Sequence, residues 1–284
     1  MIKENFSKNI RPAAVSYMFY PGDESELRKT VRNYLHSMEG DEDSLQLTTN
    51  EISSIRMLIV PHAGYIYSGK TAAAAYRLLM KLKNRFQRVF LLGPAHRVWL
   101  TGAALPKSDA FETPLGVIHL DSVLMEKLLA DYSWITVSDE AHAEEHCLEV
   151  QLPFLQQTLG EFKLVPLVVG DTKTDLLANM IQQFCDDDQT LILISTDLSH
   201  FHDYQTAREL DSRTANAIES LLPQLLSPED ACGAYPLRGA LLAASQNDWQ
   251  VHRLDLCNSG DTAGDHGRVV GYGAWAVTAS QSIN

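Results

Sequence analysis

Short, nearly unbroken apolar runs alternate with amphipathic stretches along this chain. That is the pattern of strands buried on both faces and of the helices that cover them. The runs Ile55 to Val60, Gln87 to Leu92, Leu164 to Val169 and Leu191 to Ser195 predict central strands. Leu100 to Leu105, Val117 to Leu120, Trp249 to Leu256 and Val269 to Val277 predict further ones. Between them, Leu27, Val31, Leu35 and Met38 recur at helical spacing. Pro21-Gly22 stops the chain ahead of that stripe, and Asp23 with Glu26 has the residue types of a capping box. Helices are also expected over Gly69 to Leu82, Ser122 to Ala130, Glu145 to Leu159, Thr174 to Phe184, Asp203 to Leu222 and Gly239 to Ala244. The acidic stretch Gly40 to Asp43 reads as a solvated loop. The first central strand, the helix after it and the next strand form a βαβ crossover. With no internal repeat and no clean linker, the reading is α/β: a single three-layer domain over 1–284, with a central largely parallel or mixed sheet flanked by helices.

Charge narrows the range of partners. Lys and Arg number 23 against 36 Asp and Glu, a formal net charge of -13, which repels nucleic acid and anionic membrane on most faces. A small-molecule substrate is expected instead, with a protein partner open and the oligomeric state undetermined. Cys147, Cys185, Cys232 and Cys257 lie far apart without a CxxC spacing, which argues against a thioredoxin-like pair or a compact zinc knuckle. Free thiols, no long apolar segment at the N-terminus and no apolar stretch of membrane-spanning length point to a soluble, cytoplasmic protein.

Candidate chemistry gathers where the apolar runs end. Three of them run into histidines: Pro61-His62, Gly93-Pro94-Ala95-His96 and Ser195-Thr196-Asp197-Leu198-Ser199-His200. In a parallel sheet such ends share one edge, where loops carry polar groups without breaking a buried ladder. Each histidine alone fits a hydrogen-bonded structural role equally well; two on adjacent strands favour a site. Asp197 is placed to orient or help ligate, and His200 to take a proton. Ser195 lacks a Gly-x-Ser-x-Gly setting, so a serine nucleophile is weakly supported. His142-Ala143-Glu144-Glu145-His146 has the HxxEH spacing of an inverted zinc-protease motif, which on a helix would set both histidines on one face. The same residues read as the start of a helix, with Glu145, His146 and Glu149 lining or supporting a pocket. Cys232 is a small buried cysteine by itself, or a thiolate ligand if it joins His62 and His96. The glycines at 260, 264 and 267 lack the spacing of a phosphate-binding fingerprint.

Taken together, Pro61-His62-Ala63-Gly64-Tyr65, Gly93-Pro94-Ala95-His96, Thr113-Pro114-Leu115-Gly116, Glu145-His146-Cys147-Leu148-Glu149, Ser195-Thr196-Asp197-Leu198-Ser199-His200 and Cys232-Gly233 resemble the Memo family, including the Memo-like protein of the AmmeMemoRadiSam system. The resemblance spans nearly the whole chain in order. It implies a fold like that of the class III extradiol dioxygenases. It also implies metal ligation by His62, His96 and Cys232, an acid-base role for His200, and a pocket lined by Asp197 and His146. Fe(II) is the implied ion, with copper or zinc as competitors. The dioxygenases carry glutamate where this chain carries Cys232, so ring cleavage does not transfer directly. The resulting expectation is a metal-dependent, dioxygenase-like oxidoreductase acting on a small organic substrate. The alternatives are a non-catalytic binding or assembly protein and a metal-assisted hydrolase.

Overall fold

The computed structural model describes residues 9–37 and 47–280. Met38 and the acidic stretch Gly40 to Asp43 lie outside them. The chain opens with β1 (Ile10–Arg11), α1 (Glu24–His36), α2 (Thr49–Ser53), β2 (Ile55–Val60) and α3 (Tyr65–Met80). There follow β3 (Arg88–Pro94), β4 (Ala103–Leu105), β5 (Ala110–Thr113), β6 (Gly116–His119), α4 (Ser122–Asp131), β7 (Ile135–Val137) and α5 (Asp139–Ala143). The remainder is α6 (Leu152–Thr158), β8 (Lys163–Val169), α7 (Thr174–Gln182), β9 (Thr190–Ser195), β10 (His200–His202), α8 (Tyr204–Glu219), α9 (Ala234–Gln246), β11 (Gln250–Asn258) and β12 (Val269–Thr278).

The main sheet runs β10-β12-β2-β9-β3-β8-β4-β7, with β11 on the free side of β12. Its centre, β2-β9-β3-β8, is parallel, while β12 on β2 and β4 on β8 are antiparallel, so the sheet is mixed as expected. The central runs contain few polar residues because both faces are covered: Met57, Leu58, Ile59 and Val60 have no exposure, nor have Leu191 to Ile194. Each such side chain contributes about 1.5–3 kcal/mol of burial. The βαβ unit from β2 to β3 is present, but its crossover skips one position. β9 fills the gap and bonds both neighbours. Val117 and its neighbours form β6 of a separate three-stranded sheet, β1-β5-β6, and do not join the main one.

Helix boundaries differ where polar residues intervene. Asp23 caps α1 by accepting from the Glu26 amide, and Leu27, Val31 and Leu35 form the buried stripe. The stretch expected as one helix from Glu145 to Leu159 begins as a loop, passes through a short 3-10 turn at Glu149–Gln151 and becomes α-helical only at Leu152. Burial of Glu145, Glu149 and Gln151 explains the break, because each side chain bonds a group off the helix axis.

Candidate metal centre

Three adjacent parallel strands deliver the site. β2 ends at Val60, β9 at Ser195 and β3 at Pro94, and two residues beyond each end stand His62, Asp197 and His96. The register pairs Val60 with Ser195 and Leu92 with Ile194, so the three loops leave the sheet side by side. Cys232 arrives from the opposite direction, just ahead of α9. The Asp197 amide donates to its Sγ at 3.3 Å, and the Cys232 amide donates to the Asp197 carbonyl at 3.3 Å. Gly233 permits this approach: a Cβ there would lie 2.7 Å from Thr196 Cβ and 2.8 Å from the Ser195 carbonyl oxygen.

The result is a cluster in which ligand atoms of His62, His96 and Cys232 lie within 4.8 Å of one another. His62 Nε2 is 3.1 Å from Cys232 Sγ, and the rings of His62 and His96 meet edge to face at 5.1 Å. Two imidazoles and a thiol at this spacing suit a transition ion with open positions. A second set of mutually close donors comprises His96, Glu145 and His146. Glu145 is already committed, however. Its Oε1 accepts from His96 Nδ1 at 2.9 Å and the Cys147 amide at 3.0 Å, while Oε2 accepts from the His96 amide at 2.7 Å. It therefore acts from behind His96, leaving Nε2 of that ring open to a ligand.

The surroundings set the charge. Donated hydrogen bonds and the adjacent His96 outweigh burial and hold the Glu145 carboxyl down at about 2. Burial, reinforced by neighbouring His96, pushes His62 well below the ordinary imidazole value, so it is neutral. His146 falls to about 3 through burial and then through His62 and His96. Its ring is sandwiched between His96 and Phe19, each at 4.6 Å, and stands perpendicular to His62. Its Nδ1 is buried 3.3 Å from Glu145 Oε1 without forming a hydrogen bond. Burial, then the charge of Asp197, pushes the Cys232 thiol up.

Asp197 is buried, and its Oδ1 accepts from the His62 amide at 2.7 Å, tying the loops after β2 and β9 together. Burial raises its carboxyl above the usual range. His200, half-buried on β10, lies within electrostatic reach of both His62 and Asp197. The structure thus brings together His62, His96, Cys232, Asp197 and His146, with His200 within electrostatic reach. It does not support the HxxEH arrangement. His142 belongs to the short α5 and bonds the Ala104 carbonyl at 2.9 Å, whereas His146 lies in the following loop. Glu149 serves elsewhere, buried against Arg11 at 2.6 Å and accepting from the Ala14 and Val15 amides and the Tyr20 hydroxyl. Sequence reasoning missed Gln151, Tyr76 and Phe19, and it considered Ser195 only as a nucleophile. A glutamine and a serine set in apolar runs were the available signal, since buried polar groups require partners.

Comparison with known proteins identifies the family. A family profile described as Memo-like protein matches residues 11–276. A MEMO1 family protein of Aquifex aeolicus is 36% identical over 278 residues, covering 93% of this chain and 97% of its own length. One from Nitrosopumilus maritimus is 31% identical over 277 residues, covering 93% and 98%. Among solved structures, the uncharacterized protein JW3007 from Escherichia coli K12 superposes with a TM-score of 0.52 at 13% identity, over 77% of this chain and 99% of that one, a likeness of fold. With that extent of match, the chain belongs to the Memo-like family.

Proposed function

We propose that this protein is a metal-dependent oxidoreductase whose ion, Fe(II) with copper or zinc as competitors, is held by His62, His96 and Cys232. Oxygen and a small organic molecule are its proposed reactants. The observation that carries the reading is the convergence of three donors within 4.8 Å at the end of a parallel sheet, with each imidazole hydrogen-bonded from its rear face. A histidine oriented in this way is characteristic of metal ligation. When bound, a redox-active ion supplies electron exchange with oxygen and polarises a coordinated substrate.

The chain's own residues supply the rest. His62 and His96 turn ring nitrogens towards the centre, and the Asp197 amide places a hydrogen bond on the Cys232 sulfur. His200 is assigned the substrate's proton as general base. Asp197 fixes the loop that carries His62, and His146 with Phe19 forms an aromatic wall that excludes water. The proposal includes a cytoplasmic setting, on the strength of the free thiols, and no nucleic-acid partner, on the strength of the negative charge. Among the described residues, no helix is long and apolar enough to cross a membrane.

Anaerobic purification with metal analysis, then reconstitution with iron, copper or zinc, tests the site. One ion per chain, lost in His62→Ala and Cys232→Ser, is expected, and binding indifferent to changes at residues 62, 96 and 232 would refute it. Oxygen consumption that requires iron or copper supports oxidoreduction. A fully loaded protein that binds metabolites without consuming oxygen would move the reading to hydrolysis or binding.

A further inference from the structure

Behind His62 lies a closed set of buried hydrogen bonds that reaches the far side of the sheet edge. Tyr76 donates its hydroxyl proton to Gln151 Oε1 at 2.7 Å. Gln151 Nε2 donates to the Pro61 carbonyl and to Ser195 Oγ, both at 2.9 Å. Ser195 Oγ donates to the Cys147 carbonyl at 2.6 Å and lies 2.9 Å from His62 Nδ1. Ser195, Gln151 and Tyr76 are essentially inaccessible to water.

The bookkeeping of protons leaves one solution. The Pro61 oxygen can only accept, which fixes the Gln151 amide with nitrogen towards it. A hydroxyl has one proton, and that of Ser195 goes to the Cys147 carbonyl. Its two lone pairs then accept from Gln151 and from His62, so His62 carries its proton on Nδ1. In turn, Nε2 presents a lone pair to Cys232, whose thiol donates to it across 3.1 Å. The opposite tautomer would turn the Ser195 proton back to Nδ1 and strand a buried carbonyl, at a cost of about 1–3 kcal/mol.

We propose that Ser195, Gln151 and Tyr76 form a tautomer lock, with Ser195 and Gln151 as positioning residues that hold His62 with Nδ1 protonated and Nε2 bare towards the centre. The two histidines are then oriented differently, His62 by a neutral hydroxyl and His96 by the Glu145 carboxylate. Removing the first lock therefore leaves the second intact. The consequence for metal affinity rests on the assignment of His62 as a ligand, but the tautomer itself does not.

Long-range proton–nitrogen correlation spectra of the metal-free full chain, labelled with nitrogen-15 histidine, read the tautomer directly. Wild type is expected to show His62 as the Nδ1–H form, Ser195→Ala a mixture, and His96 the same signals in both. Zinc ion in competition with a chelating dye is expected to bind Ser195→Ala about 10–100-fold more weakly. Ser195→Cys, whose thiol is a poor acceptor from the ring but can still donate to the Cys147 carbonyl, serves as a second variant if Ser195→Ala does not fold, and is expected to move both readouts in the same direction. A folded Ser195→Ala protein whose His62 remains wholly Nδ1–H overturns the lock. A shifted tautomer with zinc affinity within twofold of wild type, in a protein where His62→Ala does weaken binding, overturns the positioning role. If His62→Ala leaves zinc binding unchanged while Ser195→Ala shifts the tautomer, the lock stands and the metal assignment fails.

Discussion

The Arg11–Glu149 pair lends itself to a quantitative test because both charges are buried and the pair anchors the segment that carries Phe19 to the site. Glu149 has no exposure and accepts from Arg11 Nη1, two backbone amides and the Tyr20 hydroxyl. Arg11 also donates to the carbonyls of His142 at 2.7 Å and Glu145 at 2.8 Å, and stacks 4.8 Å above the Phe111 ring. Arg11→Met leaves an uncompensated carboxylate, and Glu149→Gln an uncompensated guanidinium. Each is expected to cost about 3–5 kcal/mol, the usual penalty for breaking a buried pair from one side. The double variant contains neither charge, so its loss is expected to fall short of the sum by about 2 kcal/mol. Urea denaturation of the four proteins under identical conditions measures this coupling. Additivity within about 0.5 kcal/mol would refute the argument, because it would mean that the two charges do not depend on each other in the fold. Hydrogen exchange gives a local check. The Tyr65 amide donates to the Phe19 carbonyl, so its protection is expected to fall in Arg11→Met before that of β9.

Further outcomes follow from the site and its supports. His142 is buried neutral with its value lowered to about 4, mainly by desolvation, so folding excludes a proton that the unfolded chain binds below about 6.5. Stability should fall as pH drops from about 6.5 to 4, and in His142→Gln the slope of urea-derived stability against pH should be shallower by about 1.4 kcal/mol per unit. Glu145 works at lower pH: with its value depressed to about 2, its contribution is complete above about 4.5 and is lost between there and 2. In Glu145→Gln, acid unfolding in that window should flatten. Gly93→Ala would set a methyl 2.6 Å from Cys147 Sγ and 2.9 Å from Leu148 Cδ2, so denaturation should show a loss of about 1–3 kcal/mol, with weaker metal binding as the His96 loop shifts. If His200 is the general base, His200→Gln should retain stoichiometric metal while oxygen consumption falls about 10²–10⁴-fold.

How much could be read in advance depended on whether a residue's role was local. Ile55 to Val60 was legible to the residue, because a continuous apolar run has one solution in a covered sheet. Helix α3 begins at Tyr65, four residues before its expected start, because the Tyr65 amide is satisfied by the Phe19 carbonyl, a partner remote in sequence. The metal candidates were visible as histidines at strand ends and through family resemblance, and Glu145 as a supporting group, whereas its pairing with His96 and that of Ser195 with His62 were not. The function of both residues is to accept a hydrogen bond from a ring far along the chain, and no spacing encodes that. The HxxEH pattern shows the converse: its helical spacing meant nothing once the buried Glu145 and Gln151 side chains had broken the helix.

The geometry also accounts for a thiol at the third corner. Cys232 lies directly against the β9 loop, exchanging hydrogen bonds with Asp197 while Gly233 touches Thr196. A longer glutamate side chain from the same backbone position would crowd the ring of His62, whose Nε2 already lies 3.1 Å from the sulfur. The β9 end and the loop after α5 already supply two carboxyl groups nearby, Asp197 and Glu145, and both are occupied in holding backbone amides and an imidazole. The negative charge that a carboxylate ligand would bring is therefore present one layer out, where it orients donors. In the proposed centre the sulfur donor is soft. Under the proposed ligand assignment, a cysteine at this corner suits the pocket to ions with affinity for sulfur, while the strand ends gather the two histidines.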